Sequence, residues 1–153
     1  MNYSTTAPAA WDPAFADAPD CLLTSDQCVI GAEHYFVKGL IDIPVIGSGE
    51  VFSWGVWVSL SRENFARAAD LWDTPGRESE PPYFGWLTTD LPLYSPSTIN
   101  LKTNLHTRPV GQRPLIELEP TDHPLAVEQR TGITRDRVRE IAEAVLHAGT
   151  DGS

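Results

Sequence analysis

Basic residues are scarce in this chain: 11 Lys and Arg stand against 21 Asp and Glu, a formal charge of -10 over 153 residues. Phosphate backbones and anionic lipid surfaces are repelled by such a charge, which excludes general nucleic-acid or membrane-surface binding and favours a partner with a cationic surface. Acidity also serves solubility with no partner in view. Cysteine is scarcer still. Cys21 and Cys28 are too few to staple a domain of this length and predict free thiols in a reducing compartment. No apolar run approaches the roughly 20 residues of a membrane span. The opening MNYSTTAPAAW lacks the basic and apolar regions of a signal peptide, so a cytoplasmic location is expected.

Reactive motifs are equally sparse. There is no Cys-x-x-Cys or His-x-x-x-His pair, and His34, His106, His123 and His147 are scattered singly, so no metal and no cofactor is expected. Glycine-rich phosphate loops are absent. Gly47-Ser48-Gly49 lacks the spacing of a nucleophile elbow and sits where a hairpin turn is expected.

What the chain does have is a change of period. In VFSWGVWVSL, Val51 to Leu60, the residues Phe52, Trp54, Val56, Val58 and Leu60 fall on one face of a strand. After Ser61, a helix N-cap candidate, Phe65, Ala68, Ala69 and Trp72 follow the spacing of an amphipathic helix. Upstream, Glu33 to Ile46 reads as a long strand with Tyr35, Val37, Ile41, Ile43 and Val45 on one side, and Gly39 on that side marks a bulge or the close approach of another backbone. The turn at Gly47 to Gly49 joins the two as an antiparallel hairpin. Shorter strands are predicted over 27–30, 83–88, 98–105 and 115–119. Two helices follow, one from Pro124 to Gln129 capped by Thr121 or Asp122, the other capped by Thr134 and stopped by Gly149.

The resulting expectation is an α+β fold, with a mainly antiparallel sheet of five or six strands and two main helices packed on one face. Residues 1–20 contain Pro8, Pro13 and Pro19, with Asp12, Asp17 and Asp20 unopposed by any Lys or Arg before Lys38, and read as a mobile arm. Residues 21–149 read as one globular domain.

One stretch departs from the overall charge. No acidic residue lies between Asp90 and Glu117, while Lys102, His106, Arg108 and Arg113 do, a basic island suited to holding a small anion through directed hydrogen bonds. The competing interpretation is that these residues pair with the protein's own acids. Glu117 and Glu119 share a strand face and are acid/base candidates with His106 or His123, or else a solvated edge. Trp57 lies on the strand face opposite Trp54 and needs cover from a helix layer, the arm or a partner; Trp86 is a second interaction candidate.

The runs LTSDQCVIGAEHYFVKGLIDIPV, FSWGVWVSLSRENF, ESEPPYFGWL and LKTNLHTRPVGQRPLIELEPTDHPLAVEQRTGIT resemble a bacterial family of uncharacterised proteins, domain of unknown function 2199, over Leu23 to Leu146. The resemblance implies a small cytosolic bacterial protein and no particular activity. Many relatives begin with a Cys-x-x-Cys-Gly element like half a zinc knuckle, but this chain has MNYSTTAPAAWDPAF in that place. Two functional classes follow. The first is a non-enzymatic cytosolic binding or interaction protein of immunity or regulatory type. The second is a small enzyme or ligand-sensing domain that acts on an anionic small molecule through Lys, Arg, His and Glu side chains.

Overall fold

The computed structural model describes the backbone of residues 2–151 and the side chains of residues 4–146. His147 falls outside those side chains. The strands are β1 (Asn2–Ser4), β2 (Leu22–Leu23), β3 (Gln27–Ile30), β4 (His34–Pro44), β5 (Val51–Leu60), β6 (Tyr83–Leu87), β7 (Lys102–His106) and β8 (Leu115–Leu118). The helices are α1 (Arg62–Asp70), α2 (Pro124–Thr131) and α3 (Arg135–Asp151).

The long hairpin is as the sequence predicts. β4 and β5 pair antiparallel from Tyr35↔Leu60 to Pro44↔Val51, and Val37, Ile41, Ile43, Phe52, Trp54, Val56 and Val58 all enter one core. Around it the architecture differs from an open sheet. Strands β4 to β8 pair in chain order, and β8 then returns to β4 through Leu40↔Leu115, closing a five-stranded barrel. Strands that run alternately up and down leave the first and fifth pointing the same way, so an odd-numbered barrel must close on a parallel pair. β4 and β8 are indeed parallel, as are β1 and β5, and the sheet is mixed. A barrel this narrow is filled by its own side chains.

Closure depends on Gly39. A Cβ there would lie 2.6 Å from Ile116 Cδ1 and 3.0 Å from the Pro114 carbonyl oxygen. That carbonyl accepts from Leu40 N at 2.9 Å. Gly85 is tighter in kind, because its Cβ would meet the Ser59 carbonyl oxygen at 2.6 Å, and backbone cannot swing aside as an isoleucine tip can. Gly85→Ala is therefore expected to cost more than Gly39→Ala, with overpacking losses of about 1–3 kcal/mol. Urea unfolding of both variants checks the order, and an unchanged midpoint for Gly85→Ala contradicts it.

The helices meet the hairpin at its two ends, and α1 and α3 both pack against the one core, through Phe65 and Ala68 and through Val138 and Val145. α1 follows Leu60 directly, and its Phe65 ring sits 5.1 Å from Tyr35. The α2–α3 junction lies at the other end of the ladder, where Val45 bridges Ile133. Ser61 caps α1 by accepting from Asn64 N at 3.1 Å, as expected. His123, rather than Thr121 or Asp122, is the N-cap of α2, its imidazole Nδ1 accepting from Leu125 N at 3.1 Å. Thr134 accepts from Arg137 N at 3.1 Å, and α3 runs past Gly149 to Asp151.

The amino-terminal arm is laid against the body. β1 runs beside β5, Pro13–Asp17 forms a 3-10 helix capped by Asp12, and Ala9 N donates to the Thr88 carbonyl at 2.9 Å. Trp57 is fully buried with Cys28 and Phe36, and Trp11 packs on that cluster from the arm. The cover that Trp57 requires is thus the arm and β3. Both thiols are free, and burial raises that of Cys28 to about 11, with a smaller push from Cys21.

Candidate functional site

A cleft of about 580 Å³ opens between the end of α1, β4, β6, β7 and the loop after β7. Its apolar wall includes Val37, Ala68, Leu71, Trp72, Leu105 and Val110. Four cationic side chains, Lys38, Arg77, Arg108 and Arg113, line it together with two carboxylates, Asp26 and Asp73. A surplus of positive charge on a chain at -10 is a local construction.

Arg77 builds the site rather than facing into it freely. It is 8% exposed, and its guanidinium donates from Nε to Arg108 O at 2.8 Å and from Nη1 to Trp72 O at 2.9 Å. Nη2 donates to Pro109 O at 3.1 Å and Gln112 O at 3.0 Å. One side chain thus holds the whole 108–112 loop, and it stacks over the Trp72 ring at 5.6 Å. Arg108 and Arg113 are carried by this loop. Arg108 Nε donates to Arg113 O at 2.6 Å, and Arg113 Nε donates to Asp26 Oδ1 at 2.8 Å. Both are anchored through Nε, which leaves the outer edges of the two guanidinium groups for a ligand.

Lys38 has an unusual setting. It is buried, its ammonium donates to the Thr5 carbonyl at 2.6 Å, and Trp57 Nε1 donates to the same oxygen at 3.1 Å. Burial lowers its pKa, Arg113 lowers it further, and Asp26 opposes the shift. Tyr83 stands at the opposite wall. Its hydroxyl donates to Glu80 Oε1 at 2.7 Å, and Arg67 Nε donates to the same oxygen at 2.7 Å. Burial and that hydrogen bond raise the phenol to about 12, so it stays a donor at neutral pH.

The other candidates do not converge here. His106 and Glu117 meet through Nε2 and Oε1 at 3.2 Å in a separate groove of about 480 Å³, on the outer face of β7 and β8. Lys102 extends over the Trp86 ring at 6.0 Å, and the backbone N–H of Glu119 donates to the Lys102 carbonyl at 3.0 Å. His123 has both ring nitrogens committed, Nε2 donating to Pro96 O at 2.8 Å while Nδ1 caps α2. Trp57 has no exposed surface, whereas Trp86 is partly exposed. Among the described residues no three His, Cys, Asp or Glu side chains are placed to hold a metal ion, and no helix is long and apolar enough to cross a membrane.

A family model described as an uncharacterized protein conserved in bacteria, DUF2199, matches residues 1–133. The chain belongs to this family. Neither a curated protein nor a solved structure matches it. The matched span takes in the arm and the whole barrel and ends at Ile133, ahead of α3. It therefore contains every residue of the cleft.

Three of those residues escaped the sequence pattern. Asp26 and Lys38 are remote from the basic island in sequence, and Arg77 sits in a proline- and glycine-rich loop with no period to interpret. The available signal was compositional: Lys38 interrupts an apolar strand, a place where a charge needs a reason.

Proposed function

We propose that the protein binds a small organic anion with an apolar body in the cleft between α1 and the loop after β7. The observation that carries this reading is the pairing of an apolar wall with Arg108 and Arg113, both fixed through Nε on a loop pinned by Arg77. A guanidinium fork held in place beforehand loses little entropy when it takes a carboxylate or phosphate. The volume lies in the usual range for a small-molecule site, about 300–1,000 Å³.

A binding role fits better than a hydrolytic one. Asp26 is engaged with Arg113, the His106–Glu117 pair belongs to the other groove, and His123 is a helix cap.

Calorimetric titration of phosphate, citrate, AMP, benzoate and decanoate at low salt tests the reading. The carboxylates with apolar bodies are expected to bind more tightly than phosphate or citrate. Combined Arg108→Ala and Arg113→Ala should weaken them by at least about tenfold, or roughly 1.4 kcal/mol, and added salt should weaken the wild type less than a surface site. No heat with any anion, or equal affinity in the variant, removes the cleft as the site.

A further inference from the structure

The outer face of β6, β7 and β8 carries chemistry that the anion cleft does not use. Phe84 and Trp86 are each 41% exposed and meet edge to face at 5.2 Å. Strand alternation explains their position, since it sends Tyr83, Gly85 and Leu87 inward. Register then sets Asn104 beside Phe84 and Glu117 beside Asn104, so a row runs across three strands from aromatic to amide to carboxylate. Asn104, Glu117 and His106 continue into the groove, where Asp42 and Arg130 join them. The Asn104 side chain makes no hydrogen bond among the described residues, and the Asp42 carboxylate holds only Ser53, at 2.6 Å.

We infer that this face binds a neutral oligosaccharide. Phe84 and Trp86 stand edge to face on a rigid strand, with the Lys102 ammonium 6.0 Å from the centre of the Trp86 ring, and the ring area left exposed is apolar surface that the C–H face of a sugar ring covers well. One strand away the surface turns polar, which suits the hydroxyl rim of the same ring and offers little to a protein partner seeking a wide apolar patch. Charge points the same way. On this face Lys102 and Arg130 offset Asp42 and Glu117, so it favours no sign, while the chain's -10 repels a nucleic acid that could stack on the same rings.

The test is titration of the full chain with maltohexaose, cellohexaose and hexa-N-acetylchitohexaose by calorimetry, with saturation-transfer NMR on the bound sugar. At least one of the three is expected to bind with Kd near or below about 1 mM. Combined Phe84→Ala and Trp86→Ala, and separately Asn104→Ala, should each weaken it by at least about tenfold at unchanged Tm. Combined Arg108→Ala and Arg113→Ala should leave it intact, which separates this face from the anion cleft. Binding of none of the three, equal binding by the aromatic variant, or loss in the arginine variant overturns the proposal.

Discussion

Replacing Arg77 with methionine should lower the thermal midpoint by about 6–12 °C. Methionine keeps most of the buried stem but removes the donors that hold four carbonyls, those of Trp72, Arg108, Pro109 and Gln112. Hydrogen bonds from a charged donor contribute about 1.5–3 kcal/mol each in favourable settings, but carbonyls near the cleft mouth recover some water, so a net loss of about 3 kcal/mol is expected. For a domain of this size each kcal/mol moves Tm by about 2–4 °C. Arg77→Lys should recover little, because an ammonium cannot span carbonyls on both sides of the fork. Function should fall with stability, since the 108–112 loop presents Arg108 and its neighbour Arg113 to the cleft. Scanning calorimetry decides: a Tm for Arg77→Met within about 2 °C of the parent, or full recovery by lysine, would mean that the loop stands without its latch.

Arg77 also shows where sequence pattern stops informing. The β4–β5 hairpin was legible because its period of two runs for ten paired residues and its turn carries Gly47 and Gly49. α1 was legible from Ser61 and the Phe65–Ala68 spacing. Closure of the barrel was not, because it rests on one register pair, Leu40↔Leu115, whose sole local trace is the missing side chain at Gly39. The basic island illustrates the same limit. Lys102 and His106 lie on a strand whose alternation turns them outward, whereas Arg108 and Arg113 lie past its end and turn into the cleft. Nearness in sequence predicted one site, and strand geometry divided it between a cleft and a groove. Conversely, Asp26, Lys38 and Arg77 reach the cleft from three separate segments, which only tertiary contacts bring together.

The Trp57 side chain should depend on the amino-terminal arm more than the Trp54 side chain does. From the sequence, Trp54 alone looks like a core residue and residues 1–20 look removable. The structure buries both indoles completely, Trp54 inside the barrel 5.0 Å from the Phe52 ring and Trp57 outside it beneath the arm. Each alanine substitution is therefore expected to cost about 3–5 kcal/mol, a large share of a marginal domain's stability. The two losses have different partners. Trp54 Nε1 donates to the Tyr94 hydroxyl at 3.2 Å, and Tyr94 donates in turn to Glu128 Oε1 at 2.5 Å, a chain that ties the barrel to α2. Trp57 Nε1 donates to Thr5 O, and Trp11 packs on its cluster. Deleting residues 1–20 removes those contacts, so deletion alone should destabilise, and the cost of Trp57→Ala should shrink in the truncated chain by about 1–3 kcal/mol. Trp54→Ala should couple to the truncation less than Trp57→Ala does, because Tyr3 of β1 pairs only with the Trp54 backbone while the indole lies inside the barrel. Urea titrations of the wild type, the truncation and each tryptophan variant with and without the arm measure both couplings, with Trp57→Phe and Trp54→Phe replacing any alanine variant that does not fold. Equal additivity for the two positions, or a truncation with unchanged midpoint, would show that the arm does not hold Trp57 in solution and that the Lys38 ammonium, bonded to the same Thr5 oxygen, is free of it as well.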